Sequence, residues 1–137
     1  DVYKRQGYRL IMIIDHCRNI EELRKLYESR PMPIQYDFDW LINNPYLFCF
    51  YSEEKRGKLR GYITIQIEEG ELTLSGASVR KNFKDNIDAI EAICEVVKQD
   101  IYAYTPLKEA ALVLKKAGFV KLDNDRYIRR YKNGEDI

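Results

Sequence analysis

Proton-transfer chemistry near neutral pH needs phenols, imidazoles, thiols or carboxylates held beside one another, and the chain offers few such groupings. Tyr102 and Tyr104 alternate within Ile101–Tyr104. On a strand they therefore project from one face, with Tyr104 at the C-terminal end, where its phenol can give up a proton. The same alternation also fits tyrosines packed as amphipathic sheet residues under a helix. Glu68, Glu69 and Glu71 surround Gly70; they can act as bases, and they equally make a solvated turn. His16 is the single histidine, with no Cys or His close in sequence to share a metal. Cys17, Cys49 and Cys94 are far apart and form no C-x-x-C pair. That spacing builds neither a zinc site nor a disulfide framework, so buried thiols in a reducing, cytoplasmic setting are expected. Ser78 lacks the Gly-x-Ser-x-Gly context of a hydrolase nucleophile.

These residues must be positioned by secondary structure, which the hydrophobic periodicity outlines. Tyr8–Ile14 is β-branched and apolar and reads as a first strand. Asn19 with Glu22 three residues later predicts a capping box opening a helix, with Ile20, Leu23, Leu26 and Tyr27 at helical spacing and Pro31 and Pro33 stopping it. Asp37–Ile42 reads as a short second helix. Tyr46–Tyr51, Leu59–Ile67 and Glu71–Ser78 read as a three-strand meander, with Gly76 a bulge or a site of close backbone approach. Asp85–Lys98 carries Ile87, Ile90, Cys94 and Val97 on one face, widened by Ile93 and Val96, and Asp85 is the expected N-cap. After the strand Ile101–Tyr104, Thr105 and Pro106 predict a helix start, Leu107, Ala110, Ala111 and Leu114 its buried stripe, and Gly118 its left-handed stop. Phe119–Leu122 and Arg126–Tyr131 read as a terminal hairpin, with the basic residues Arg126, Arg129, Arg130 and Lys132 guarding an edge strand.

The order β-α-α-β-β-β-α-β-α-β-β defines an α/β fold, a single-domain mixed sheet flanked by helices. The strand-helix-strand unit over 71–104 implies a parallel crossover. A chain of 137 residues with 45% apolar content can bury a core without staples. The charges nearly cancel, 23 Lys and Arg against 22 Asp and Glu, which argues against nucleic acid as a partner. No apolar run reaches membrane-spanning length. The opening Asp1–Gln6 resembles translated sequencing-adapter sequence of the kind found on metagenomic fragments. The expected domain therefore covers 7–134, with 135–137 as a tail.

Two segments carry a family resemblance. Val79-Arg80-Lys81-Asn82-Phe83-Lys84-Asp85-Asn86-Ile87-Asp88-Ala89 resembles the cofactor motif of the GNAT (GCN5-type) N-acetyltransferase superfamily. That motif runs from a Val at the end of the fourth strand, through an aromatic, to Arg/Gln-x-x-Gly-x-Gly/Ala at a helix start. Val79, Phe83 and Ala89 match, Lys84 replaces Arg or Gln, and Ile87 replaces the first Gly. Ala111–Phe119 resembles the family's segment ending Tyr-x-Lys-x-Gly-Phe. Lys116, Gly118 and Phe119 match, and Leu114 stands where the family's acid Tyr is frequent.

The resemblance implies an acyl-CoA-dependent N-acetyltransferase with acetyl-CoA as acyl donor and a small-molecule or peptide amine as acceptor. It places the diphosphate at the backbone of Lys84, Asp85, Asn86, Ile87, Asp88 and Ala89, because helix-opening amides bind anions, with Val79 lining the pantetheine strand. Backbone amides of the fourth strand would stabilise the oxyanion, and Tyr104 is the substitute acid. Ile87 and Leu114 also fit a second expectation, a catalytically degenerate GNAT-fold binding or structural protein.

Overall fold

A computed structural model describes residues 12–30, 36–52, 57–79 and 82–132. The adapter-like start, most of the Tyr8–Ile14 strand, Pro31, Pro33, Arg80, Lys81 and the 135–137 tail lie outside them. The described elements are strand β1 (Met12–Asp15), helices α1 (Ile20–Glu28) and α2 (Phe38–Asn43), strands β2 (Leu47–Ser52), β3 (Lys58–Glu68) and β4 (Glu71–Ser78), helix α3 (Phe83–Val97), strand β5 (Ile101–Tyr104), helix α4 (Lys108–Lys116), and strands β6 (Val120–Asp123) and β7 (Arg126–Arg129). They follow the order read from the sequence. The seven strands form one sheet ordered β1-β2-β3-β4-β5-β7-β6, in which only β4 and β5 run parallel.

Alternation along the strands supplies both faces of the sheet with apolar side chains. Phe50, Ile63, Ile65, Leu74 and Ile101 meet Ile90, Ile93 and Cys94 of α3 and Val113 and Leu114 of α4. On the opposite face Cys49, Tyr51 and Tyr62 meet Leu23, Leu26 and Tyr27 of α1 and Phe38 and Leu41 of α2. The result is a sheet between two helical layers, with one core on each side. Burial of both thiols pushes Cys49 up to about 12 and Cys94 up to about 11, so neither is a nucleophile at neutral pH.

The helix ends show where local signals yielded to packing. Asn19 caps α1 by accepting the Glu22 amide at 3.1 Å, but Glu22 does not return the bond. Its carboxylate accepts the Leu59 amide at 3.0 Å and ties α1 to β3. Asp37 caps α2 through the Trp40 amide at 2.8 Å. The cap of α3 is Asn82 rather than Asp85, which lies on the third helical residue. α4 begins at Lys108 with Leu107 as its cap, because the Thr105 hydroxyl accepts the Leu107 amide at 3.1 Å and spends the next two residues in a turn. Leu107 and Val96, expected on buried stripes, are exposed, and Val113 and Ala117 fill the α4 seam instead. Gly118, at φ +99°, ends α4 as expected. The basic last strand is not an edge: β7 lies between β5 and β6, and β6 is the outer strand.

Candidate functional site

The parallel strands at the centre of the sheet do not stay together. β4 keeps unbroken register with β3 from Glu71↔Glu68 to Ser78↔Gly61. With β5 it has one register pair, Thr73↔Tyr102. Beyond that pair, Leu74–Ser78 continues toward α3 without further pairing to β5 among the described residues. Gly76 sits in this stretch without a bulge, and a Cβ there would collide with the Tyr62 carbonyl. The close-approach reading of that glycine holds.

After β4 the chain turns into α3, whose opening amides meet no side-chain cap among the described residues. The Asn82 amide group turns away to the Arg60 carbonyl at 3.4 Å, and the first intrahelical bond is Asn86 N–H to Asn82 at 3.2 Å. Among the described residues, the donors left without an acceptor are therefore those of Phe83, Lys84 and Asp85. The Lys84 side chain lies along the helix against Asp88 at 3.0 Å, largely solvated. Ile87 points inward onto the core below α3, and Ala89 is fully buried there.

Sequence reasoning missed one residue at this end. Arg60, on β3, places its guanidinium Nε 3.8 Å from the Asp85 carboxylate. That Nε is buried with no hydrogen-bond partner among the described residues. It stands against the negative charge that Asp85 brings to the start of α3. Alternation along β3 marked Arg60 only as a polar position; its meeting with Asp85 is long-range and has no local signal.

On the face bearing α1 and α2, the register aligns a polar strip across β3, β4, β5 and β7. Tyr104 is 48% exposed rather than packed under a helix. Its hydroxyl donates to Glu71 Oε1 at 3.0 Å and accepts from Arg126 Nε at 3.1 Å, while Arg126 also pairs with the second Glu71 oxygen. Ser75, just past the last β4–β5 pair, lies 2.8 Å from the Thr64 hydroxyl. Gln66 bridges Ser75 to Glu68, donating at 3.2 Å and 2.9 Å. Tyr36 donates to the same Glu68 oxygen at 3.0 Å. Burial first, and the Glu68 carboxylate second, raise Tyr36 above the ordinary phenol value. A small cavity of about 30 Å³, room for a water molecule, sits among Tyr27, Trp40, Tyr62, Thr64 and Ser75. The Glu68–Glu71 turn is therefore not merely solvated: each of these two carboxylates is held by partners.

His16 is exposed beside Asp15, and no cluster of metal-binding side chains occurs among the described residues. Among the same residues no helix is long and apolar enough to cross a membrane.

The chain matches no family model and no curated protein sequence. Its shape matches solved acetyltransferases. It is similar to the ribosomal-protein-S18-alanine N-acetyltransferase from Escherichia coli, with a TM-score of 0.64 and 11% identity over 93% of this chain and 99% of that one. It is similar also to the catalytic domain of Tetrahymena GCN5 histone acetyltransferase in complex with coenzyme A, with a TM-score of 0.54 and 13% identity over 90% and 95%. The chain has the GNAT acetyltransferase fold, in a divergent sequence.

Proposed function

We propose that the chain is an acyl-CoA-dependent N-acetyltransferase acting on a primary amine. One observation carries the reading: the parallel strands β4 and β5 pair only at Thr73–Tyr102 among the described residues, and β4 leads on into α3, whose start has no side-chain cap. Fold alone does not fix an activity, so the argument rests on what these residues can hold. The Phe83, Lys84 and Asp85 amides and the Arg60 guanidinium suit a diphosphate. Val79 follows the free edge of β4, where a pantetheine arm would run. Asn86, Ile87, Asp88 and Ala89 act behind the site: Ile87 and Ala89 seat the helix on the core, and Asp88 holds Lys84.

Acetyl-CoA when bound supplies a thioester. The amine nitrogen bonds to its carbonyl carbon, the carbon–sulfur bond breaks, the amine loses a proton and the sulfur gains one. Leu114, standing where the family carries its acid, is 5% exposed in the core and donates nothing. Tyr104 takes that role, since a phenolate formed there faces the Arg126 guanidinium. Glu68 and Glu71 are the carboxylates beside the acceptor face that can receive the amine proton through water.

Calorimetry and thermal denaturation with acetyl-CoA test the reading. At a hundredfold excess over Kd a binder gains about 2.7 kcal/mol of apparent stability. No shift at millimolar acetyl-CoA overturns it. Binding without thiol release across a panel of primary amines supports a GNAT-fold binding protein instead.

A further inference from the structure

Thr64, Gln66, Glu68 and Ser75 fix one another's protons. The Glu68 carboxylate accepts hydrogen bonds and has none to give. The end of Gln66 that lies 2.9 Å from it is therefore the amide nitrogen. The same nitrogen donates to Ser75 Oγ at 3.2 Å. That leaves the Gln66 oxygen facing the Thr64 hydroxyl at 2.9 Å. An amide oxygen only accepts, so Thr64 commits its single proton there. Thr64 and Ser75 stand 2.8 Å apart. With the Thr64 proton already used, that contact is Ser75 donating to Thr64. The bonds close a ring, Ser75 to Thr64 to Gln66 and back to Ser75, and Glu68 sets its direction. Tyr36 donates to the same Glu68 oxygen at 3.0 Å and holds the carboxylate in place. Bonds arranged head to tail in this way reinforce one another.

The ring leaves Ser75 with an unused lone pair and no proton to offer. Thr73 and Leu74, at the last β4–β5 pair, are buried, whereas Ser75 and Gly76, the next two residues of the strand, are exposed. Thr64 behind it is 1% exposed. Of the two hydroxyls, only Ser75 meets what arrives on this face. A neutral amine carries both N–H donors and the lone pair that must attack the thioester. A hydroxyl free to rotate would donate to that pair and withdraw it from the reaction. A hydroxyl whose proton is held elsewhere can only accept an N–H, and it leaves the pair free.

We propose that Ser75 positions the acceptor nitrogen: its Oγ accepts one amine N–H, while Thr64, Gln66 and Glu68 hold the hydroxyl proton away from the nitrogen lone pair. This rests on the acetyltransferase reading. Ser75 neither gives nor takes a proton in the transfer; its part is orientation. The test follows acetyl transfer from acetyl-CoA by the full chain to n-butylamine, benzylamine and glycinamide. Thr64→Val keeps the shape of the side chain and removes the acceptor of the Ser75 proton. It should lower kcat roughly tenfold or more and leave KM within about twofold, because Ser75 still bonds the nitrogen, now through its lone pair. Ser75→Ala should lower kcat/KM roughly tenfold or more, and Ser75→Thr should restore it. Thr64→Val added to Ser75→Ala should cost nothing further. Each variant should keep the thermal midpoint and the acetyl-CoA Kd of the parent. Additive losses in the double variant, or an unaltered rate in Ser75→Ala, would overturn the proposal and leave the acetyltransferase reading. No transfer to any of the three amines by the unsubstituted chain would remove both. Neutron diffraction from deuterium-exchanged crystals reads the ring without turnover. The Ser75 deuteron is expected on the line to Thr64 Oγ1, and one turned to the open face sinks the proposal even in an active enzyme.

Discussion

Arg60→Met separates what a cation does for anion binding from what it does for folding. The guanidinium Nε is buried without a hydrogen-bond partner among the described residues, and an unpaired buried donor costs about 1–3 kcal/mol. Against this stands the Asp85 pair at 3.8 Å, with side chains 22% and 26% exposed; at that separation and exposure it contributes about 0–1 kcal/mol. Methionine keeps the apolar stem and removes both terms, so the urea midpoint should stay in place or rise slightly. The effect on acetyl-CoA should be large. A hydrogen bond to a charged group is worth about 1.5–3 kcal/mol, and each 1.4 kcal/mol is about tenfold in affinity. The Kd measured by calorimetry should therefore rise roughly 10- to 100-fold, and the difference should shrink at high salt as the charges are screened. An unchanged Kd in a folded variant would remove Arg60 from the site. A collapse of stability would refute the view that its Nε is an unmet donor in the free protein.

Tyr104→Phe should lower turnover by about 10²-fold or more if its hydroxyl is the acid, with acetyl-CoA affinity unchanged; an unaltered rate in a coupled thiol assay dismisses that role. Leu114→Tyr should not restore an acid, because the position is buried in the α4 core; overpacking should cost about 1–3 kcal/mol, visible as a lower thermal midpoint and no gain in rate. Burial raises the thiols of Cys49 to about 12 and Cys94 to about 11 from 9.0. The unfolded chain thus loses these protons first, the stabilising term is intact below pH 9, and the urea midpoint should fall as pH rises from 9 toward 11; a flat profile would show that the two thiols are not buried.

Much of the fold was legible because its signals are local and redundant. β3 alternates Tyr62, Thr64 and Gln66 against Ile63, Ile65 and Ile67, and the observed sheet uses both sets, one on each face. Gly118 ended α4 because φ +99° is cheap only for glycine. The errors fell where one residue had two competing uses. Thr105 is as good a turn former as a helix cap, and the two residues after it decided for the turn. Glu22 satisfied the capping-box pattern, yet a strand amide 37 residues away bound its carboxylate more usefully than its own helix did. The basic residues of β7 suggest an edge strand, but the hairpin folds back and inserts it beside β5.

The site was less legible for a different reason. Lys84 sits where a motif would place a phosphate-binding cation, and its own helix supplies Asp88 one turn later to occupy it. Arg60 carries no motif and is brought to the same helix start from 25 residues upstream, by the register that sets Gly61 against Ser78. Ser75 and Thr64 likewise are unremarkable alternating positions until that register makes them neighbours at 2.8 Å, beside the only parallel step in the described sheet. Composition along a strand says which face a residue takes; it does not say which distant residue stands opposite. A divergent chain can therefore bring a cation to a helix start from a distant strand, with no motif to announce it. Arg60, rather than Lys84, is then the residue whose replacement tests the proposed anion binding at α3.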